Sequence, residues 1–161
     1  MKPKIILVAA MGLNREIGVR NTIPWHIPSE MLHFKRVTLN TTVVMGRLTA
    51  ESIGMKLPKR HNLVLTSHGQ APYPGQTPVR SLHEAIAQTK TPELMVIGGS
   101  KVYELFAPLA DRMILTSVDI TVGDADAFFP VISMDDFSIA KSMPYENPGE
   151  ISYQVTHYVR R

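Results

Sequence analysis

A single carboxylate, Glu30, lies among apolar side chains in residues 24–35. Pro28 and Ser29 predict that a helix starts there, because proline fixes φ and a serine hydroxyl can accept a hydrogen bond from an unpaired backbone N–H. The helical pattern then continues to about Leu39. We therefore expect Glu30 in the first turn of a helix.

Helical spacing places Glu30 on one face with Phe34 and Val37, at i, i+4 and i+7, with Met31 beside them. That face is expected to point toward the core or a cleft. A buried carboxylate is costly unless a partner neutralises it or its pKa rises until it holds a proton, and either case suits a binding or acid–base site. A solvated glutamate that complements the helix dipole is equally compatible with this stretch alone.

Two glycine turns offer a different chemistry. Gly46, Arg47 and Thr49 place a glycine, a cation and a hydroxyl where a helix is expected to begin, and N-terminal amides with a nearby guanidinium bind anions such as phosphate. Gly98 and Gly99 let a ligand approach the backbone closely ahead of another predicted helix. Each turn alone is also typical of an ordinary strand-to-helix connection. The sequence has neither the Gly-x-Gly-x-x-Gly dinucleotide fingerprint after its first strand nor the phosphate-binding loop Gly-x-x-x-x-Gly-Lys-Ser/Thr.

Short apolar, β-branched segments alternate with helical patterns along the chain. This alternation, followed by a terminal hairpin, predicts one α/β domain over residues 1–161, with a mostly parallel sheet and an antiparallel edge. Ligands of such sheets bind at the carboxyl ends of the strands. The Ser-x-x-Glu spacing of Ser81 and Glu84 predicts a capping box on the third helix. Strands are predicted at 5–10, 42–45, 62–66, 79–80, 94–97, 112–119, 137–143 and 151–159, and helices at 28–39, 49–53, 81–90 and 101–106.

Composition narrows the classes of function. The 161 residues are 44% hydrophobic and 19% charged, which suits one globular domain with its own core. No cysteine is present, so disulfides and thiolate metal sites are excluded, and the six histidines show no metal-ligand spacing. The formal charge of +3 is scattered along the chain, which favours a small anionic ligand over nucleic acid. The apolar run at 5–10 is too short to span a membrane, and we interpret it as a strand rather than a signal peptide.

Several short motifs together span nearly the whole chain: Ile17-Gly18, Pro24-Trp25, Phe34-Lys35, Met45-Gly46-Arg47-x-Thr49, Glu51-Ser52-Ile53-Gly54, Leu57-Pro58-x-Arg60, Ile97-Gly98-Gly99 and Val102-Tyr103. In order and spacing they resemble chromosomal-type dihydrofolate reductase. The resemblance implies a single α/β domain with a central mixed, mostly parallel eight-stranded sheet, four flanking helices and an antiparallel C-terminal hairpin. It also implies reduction of 7,8-dihydrofolate to 5,6,7,8-tetrahydrofolate by hydride transfer from NADPH.

The resemblance assigns the chemistry of reduction to Glu30, the family's acidic active-site position. Glu30 is expected to pair with the 2-amino group and a ring N–H of the pterin, and to promote protonation of N5 through water. Thr116 matches a threonine that hydrogen-bonds this carboxylate, and Trp25 is expected to shape a water site. Arg60, with Lys35 nearby, resembles the arginine that grips the α-carboxylate of the substrate's glutamate. The other implied substrate positions, which apolar pattern alone does not separate from plain core, are Ala10, Met31, Phe34, Ile53, Leu57, Ile97 and Tyr103.

The resemblance places NADPH on the two glycine turns. Arg47 and Thr66 are expected to favour its 2′-phosphate, and the turn at Gly98 and Gly99 to line its pyrophosphate. The family joins these two glycines by a cis peptide, which sequence cannot show. The full set of implied cofactor-binding positions is Ala10, Ile17, Gly18, Ile23, Gly46, Arg47, Leu48, Thr49, Thr66, Ser67, Ile97, Gly98, Gly99, Ser100, Lys101, Val102 and Tyr103.

Three positions depart from the family pattern. Leu48 replaces a histidine that contacts phosphate, Ser100 replaces a frequent third glycine, and Ile23 replaces a methionine in the mobile loop that covers the nicotinamide. We expect this loop, residues 12–25, to close as a lid that excludes water from hydride transfer. Asp126 matches an aspartate that steadies the lid.

Glu30 also bears on inhibitors, because many bacterial members have aspartate there, whereas vertebrate and some plasmid-borne, drug-resistant members have glutamate. The extra methylene raises the hypothesis of acquired trimethoprim resistance. Two alternatives stay open: the NADPH-dependent pyrimidine reductase of riboflavin synthesis, and a non-catalytic basic nucleic-acid-binding domain. Glu30 together with Arg60 favours a folate, and no aromatic-interleaved basic patch supports nucleic acid. We expect a cytoplasmic monomer that binds dihydrofolate and antifolate inhibitors, and that binds neither nucleic acid nor membrane.

Overall fold

Ten strands and four helices make up the part of the chain that the structure, a computed structural model, describes, namely residues 2–20 and 22–161. Met1, and Asn21 within the predicted lid, lie outside the described residues. In chain order the elements are β1 (Lys4–Met11), β2 (Glu16–Gly18), α1 (Pro28–Thr38), β3 (Thr42–Gly46), α2 (Arg47–Ile53), β4 (His61–Leu65), β5 (Thr77–Val79), α3 (Leu82–Gln88), β6 (Glu93–Val96), α4 (Ser100–Phe106), a 3₁₀ turn (Ala107–Leu109), β7 (Arg112–Val118), β8 (Ala127–Phe128), β9 (Phe137–Tyr145) and β10 (Tyr153–Arg160).

Eight of these strands form one sheet in the order β5-β4-β3-β6-β1-β7-β10-β9. All neighbours run parallel except β10, which is antiparallel to both β7 and β9. The predicted architecture is therefore confirmed: a mostly parallel eight-stranded sheet, four helices and an antiparallel C-terminal edge. The carboxyl ends of the parallel strands lie at one edge of the sheet, where the glycine turns and the start of α1 follow.

Helices cover both faces of the sheet and give it two apolar cores. On one face α1 and α2 pack through side chains such as Phe34 and Ala50 against Ile6, and on the other α4 packs Phe106 against Leu7. Successive residues of β1 thus point into different cores. This explains why the first strand is a continuous apolar run rather than an alternating one.

Two helix starts test the predicted caps. In α1 the N-cap residue is Ile27, which makes no side-chain cap, so the prediction that the Ser29 hydroxyl caps this helix is wrong. In α3 the Ser81 hydroxyl accepts the Glu84 N–H at 3.1 Å, which confirms the Ser81 half of the predicted capping box. The Glu84 carboxylate differs from the box, because it accepts the N–H of Arg80, at 3.0 Å, one residue before the N-cap.

The small antiparallel pair formed by β2 and β8 is not predicted from the sequence. Strands of three and two residues are too short to show a hydrophobic period. None of the helices within residues 2–20 and 22–161 has the length and apolar character needed to cross a membrane.

Candidate active site

The Glu30 side chain lies in the first turn of α1, half-buried, with Phe34 and Val37 of the same helix packed into the core below it. Met31, beside them, is 55% exposed and is not among the residues packed on that core. Burial raises the pKa of the Glu30 carboxyl, and a hydrogen bond from the Thr116 hydroxyl opposes the rise. No cation within the described residues pairs with Glu30.

Thr116 and Tyr103 lie near this carboxylate. Thr116 is 2% exposed and lies directly opposite Ala10 where β1 and β7 pair, at the carboxyl end of both strands. Tyr103 of α4 donates its hydroxyl to the carbonyl of Val8 at 2.7 Å. Burial and the negative charge of Glu30 both raise the pKa of Tyr103, so its phenol stays protonated. The acidic end of the site is therefore built on rigid elements.

Arg60 forms a cationic site near the other end of α1. The residue is 8% exposed, and its Nε and Nη1 donate to Pro58 O at 2.9 Å and to Thr38 Oγ1 at 3.0 Å. Burial lowers the pKa of Arg60. Among residues 2–20 and 22–161, Nη2 has no hydrogen-bond partner and no carboxylate pairs with the guanidinium. A cation fixed in this way has the geometry to receive a carboxylate.

The chain between and beside these two groups supplies the walls. Lys35 is exposed on α1, while Ile53 at the end of α2 and Leu57 after it pack half-buried against the same core as Phe34. Ile97, directly after β6, is 8% exposed, and its N–H donates to Val44 O at 3.0 Å. These positions adjoin the apolar core, so their burial alone does not distinguish walls of a ligand site from core residues.

The two glycine turns touch each other. The Gly46 N–H donates to Gly98 O at 2.8 Å, and the Gly98–Gly99 peptide is cis, as the resemblance implies. A Cβ at Gly46 would lie 3.2 Å from Val102 Cγ2, and one at Gly98 would lie 3.3 Å from the Tyr103 hydroxyl, so both positions are tightly packed, and Gly98 also has a positive φ of 120°. The N–H groups from Gly98 to Val102 have no hydrogen-bond partner among the described residues. The turns therefore present a surface of backbone donors.

Polar groups flank this surface. Arg47 begins α2 and is exposed, and its Nε donates to Glu51 Oε1 at 3.0 Å. Thr66 is buried after β4, next to β3, and accepts the His68 N–H at 3.1 Å. Ser67, Lys101 and the apolar Leu48 are exposed, and Thr49 and Ser100 are half-buried beside the turns.

The segment predicted as a lid is attached to the loop that contains Asp126. Strand β2 of this segment pairs with β8. The Asp126 N–H donates to Gly18 O at 3.1 Å, and Asp126 Oδ2 accepts the Arg20 N–H at 2.9 Å. Ile17 and Trp25 are half-buried against the cores, whereas 64% of Ile23 is exposed. The segment is thus anchored to the Asp126 loop, and Ile23 on it is exposed.

Glu16 ties the start of the same segment to residue Val122, a contact that the sequence did not predict. It is 1% exposed, and its two oxygens accept the N–H groups of Asn14 and Val122, each at 2.6 Å. Burial acts to raise the pKa of Glu16, but the backbone donors outweigh it and the pKa is lowered. A charged residue in a three-residue strand gives no sequence signal for this role.

Two other contacting residues were missed. Thr38, which holds Arg60, follows Phe34 by one helical turn, so the helical period could have found it. Glu150 binds the start of α1 from the connection between β9 and β10, and no local pattern predicts so distant a contact. Within the described residues, no group of three histidines and carboxylates is placed to hold a metal ion.

The geometry defines an α/β protein with an acidic group and a fixed cation along one helix, and with backbone donors at the carboxyl ends of a mostly parallel sheet. In proteins of this class, ligands bind at that edge of the sheet. The chain belongs to the dihydrofolate reductase family, because residues 4–160 match the family model for dihydrofolate reductase.

Individual relatives agree with this assignment. The chain is 42% identical over 160 residues to dihydrofolate reductase type A13 from Escherichia coli. This match covers 98% of this chain and 95% of the relative. It is 45% identical over 127 residues to dihydrofolate reductase type 3 from Salmonella typhimurium, with 78% of each chain covered. A solved dihydrofolate reductase from Enterococcus faecalis, complexed with NADP(H) and RAB-propyl, superimposes with a TM-score of 0.90 at 28% identity, covering 100% of this chain and 99% of that one.

Proposed function

We propose that this chain reduces 7,8-dihydrofolate to 5,6,7,8-tetrahydrofolate with NADPH. The observation that carries the proposal is the environment of Glu30, a half-buried carboxylate with a raised pKa and no cationic partner within the described residues. Such a group accepts hydrogen bonds from N–H donors and is suited to proton chemistry, because its neutral form is favoured more than in an exposed carboxylate. The family assignment names the reaction that uses it.

Reduction of the pterin C=N bond needs a hydride at carbon and a proton at the neighbouring N5. The nicotinamide of NADPH supplies the hydride when it is bound. Glu30 accepts hydrogen bonds from the 2-amino group and a ring N–H of the pterin and so fixes the ring in the reacting orientation. Its raised pKa favours protonation of the bound pterin, with the proton reaching N5 through water. Thr116 orients the carboxylate, and Trp25 shapes the water site.

The rest of the substrate extends along α1. Glu30 and Thr38 lie about 12 Å apart along the helix, at about 1.5 Å per residue. This spacing supports the proposal that the guanidinium of Arg60, with Lys35 nearby, binds the α-carboxylate of the substrate's glutamate. The apolar walls proposed between the two charged groups are Ala10, Met31, Phe34, Ile53, Leu57, Ile97 and Tyr103.

The glycine turns fit NADPH by the chemistry of their donors. Backbone N–H groups at positions 98–102 and the tight packing around Gly46 and Gly98 suit a pyrophosphate. Arg47 is available to a phosphate, since an exposed i,i+4 pair such as Arg47–Glu51 contributes only about 0.3–0.5 kcal/mol. The remaining proposed contacts come from the lid, from the ends of β4 and β6 and from the starts of α2 and α4, namely Ile17, Gly18, Ile23, Leu48, Thr49, Thr66, Ser67, Gly99, Ser100, Lys101 and Val102.

The direct test is the loss of NADPH absorbance when the wild-type chain is mixed with 7,8-dihydrofolate. Turnover with dihydrofolate, and none with the ribosylated pyrimidine of riboflavin synthesis, is the expected result. Turnover of the pyrimidine alone would support the alternative reductase, and turnover of neither would overturn the proposal.

NADPH should also raise the melting temperature, because it binds the folded chain. Salt-sensitive retention on nucleic acid without such stabilisation would instead support a nucleic-acid-binding domain.

We also propose weak binding of trimethoprim, which would give the chain a role in antibiotic resistance. The extra methylene of Glu30 relative to aspartate moves the carboxylate that would pair with a diaminopyrimidine. We expect the inhibition constant of trimethoprim for the wild-type chain to be at least about tenfold higher than for its Glu30→Asp variant, which corresponds to about 1.4 kcal/mol. Equal inhibition of the two would contradict the proposal.

The proposed setting is a cytoplasmic monomer without a nucleic-acid partner. The cysteine-free composition and the scattered basic residues support it. Size-exclusion chromatography of the purified chain, in which a dimer would be evident as a doubled mass, checks the oligomeric state.

A further inference from the structure

Helix α1 begins on a carboxylate that belongs to another part of the chain. Glu150, in the connection between β9 and β10, accepts the Ser29 N–H through Oε2 at 3.0 Å and the Ser29 hydroxyl through Oε1 at 2.6 Å. Ser29 is the second residue of α1 and directly precedes Glu30. The two oxygens therefore hold the backbone and the side chain of the residue next to the proposed catalytic acid.

This contact completes the first turn of the helix. Pro28 has no N–H, and the N–H groups of Glu30 and Met31 both donate to Ile27 O, at 3.1 and 3.0 Å. The Ser29 N–H is the one first-turn donor left, and Ile27 makes no side-chain cap. Glu150 thus supplies from outside the cap that the helix's own sequence lacks.

The cap is anchored on the sheet. The Ser29 hydroxyl lies 2.7 Å from the hydroxyl of Tyr153, a residue of β10 that is 5% exposed and stacks on Tyr145 with ring centroids 5.1 Å apart. Asn147 Nδ2 donates to Ser29 Oγ at 3.2 Å and to Glu150 Oε1 at 3.3 Å. Since the hydroxyl of Ser29 donates to Glu150, it accepts from both Tyr153 and Asn147, so its hydrogen-bonding capacity is filled.

The negative charge of Glu150 is favourable at the N-terminus of α1. A carboxylate at a helix N-terminus is stabilised by the helix dipole. The hydrogen bonds from Ser29 lower the pKa of Glu150, with His26 the charged neighbour that acts in the same direction, so Glu150 stays ionised where Glu30 is drawn toward protonation. The two acids at this helix end therefore do different work.

We propose that Glu150 is a positioning residue for the reduction: by fixing the first turn of α1 to β10, it fixes the orientation in which Glu30 meets the pterin. This role rests on the proposed function. It concerns substrate binding at one end of the cleft, so it affects dihydrofolate and not NADPH, whose proposed contacts lie on the glycine turns and the lid.

The test compares Glu150→Gln with wild type and with Glu146→Gln, an exposed control in the same connection that makes no hydrogen bond to α1 among the described residues. For Glu150→Gln we expect KM for dihydrofolate to rise about fivefold, the effect of losing one helix cap, with KM for NADPH unchanged. Hydrogen exchange at the Ser29 amide should accelerate in Glu150→Gln and not in Glu146→Gln. Glu150→Asp, which keeps the charge, should recover part of the loss.

Three results would overturn the assignment: unchanged KM for dihydrofolate in Glu150→Gln, equal increases in both KM values, or unchanged exchange at Ser29. An inactive wild-type chain would instead overturn the proposed function, and the role of Glu150 with it. Faster exchange at Ser29 with both KM values unchanged would show that the cap is structural and does not position Glu30.

Discussion

Two carboxylates of this protein, Glu16 and Glu30, have pKa values shifted in opposite directions. Burial by itself raises a carboxyl pKa, yet Glu16, which is only 1% exposed, has the lowered one. Glu16 accepts backbone N–H groups with both oxygens, and these favour its charged form. Glu30 is offered one hydroxyl, from Thr116, which does not offset its burial. The supply of donors, rather than burial, therefore decides which acid is fixed as an anion and which is available for proton chemistry.

The first prediction concerns Glu16→Gln, which leaves one of two backbone donors facing an amide NH₂. We expect it to lower the free energy of unfolding at neutral pH by about 1–3 kcal/mol, measured by urea unfolding. Because the folded pKa lies below the usual 4.5, the stabilisation by Glu16 is present above that value and is lost as pH falls through the folded pKa. The gap between wild type and variant should thus close in acid. Glu104→Gln, at an exposed position on α4, is the control, and a gap independent of pH would contradict this account.

At the scale of elements, α1 sets the distance between the two ends of the proposed substrate. Its first turn carries Glu30 and its last turn carries Thr38, which holds Arg60. The helix is itself fixed at its start by Glu150 and along its length by Phe34 in the core. Binding and chemistry are therefore linked through one rigid element rather than through a loop.

This arrangement predicts the behaviour of Arg60→Gln. Loss of a charge-assisted pair with the glutamate α-carboxylate should raise KM for dihydrofolate roughly 10- to 100-fold. Turnover of a dihydropterin that lacks the glutamate should stay at the wild-type level, as should KM for NADPH. Steady-state kinetics with both substrates check this, and an equal loss on the truncated substrate would show that Arg60 supports the fold rather than the carboxylate.

At the scale of the whole molecule, much of the architecture could be predicted from sequence, because alternating apolar runs and helical periods are local signals. Less of the site could be predicted from the sequence. Glu30 with its helical face, and the glycine turns, follow from local pattern, whereas the roles of Arg60 and Thr116 came from family resemblance. The pairing of β2 with β8, the long-range contact of Glu16 and the cap from Glu150 join segments more than 100 residues apart, and no spacing rule reaches that far. Ser29 shows the limit directly, since its hydroxyl serves a distant carboxylate and not its own helix.

The central claim, that Glu30 provides the acid chemistry, is tested most directly by kcat/KM for dihydrofolate across a pH series in wild type and Glu30→Gln. We expect a loss of about 10²–10⁴ at neutral pH, which shrinks in acid because dihydrofolate then arrives protonated. The variant should be at least as stable as wild type above neutral pH, since a raised carboxyl pKa costs stability as pH rises, so unfolding would not explain the loss. Full activity of Glu30→Gln across the series would contradict the account.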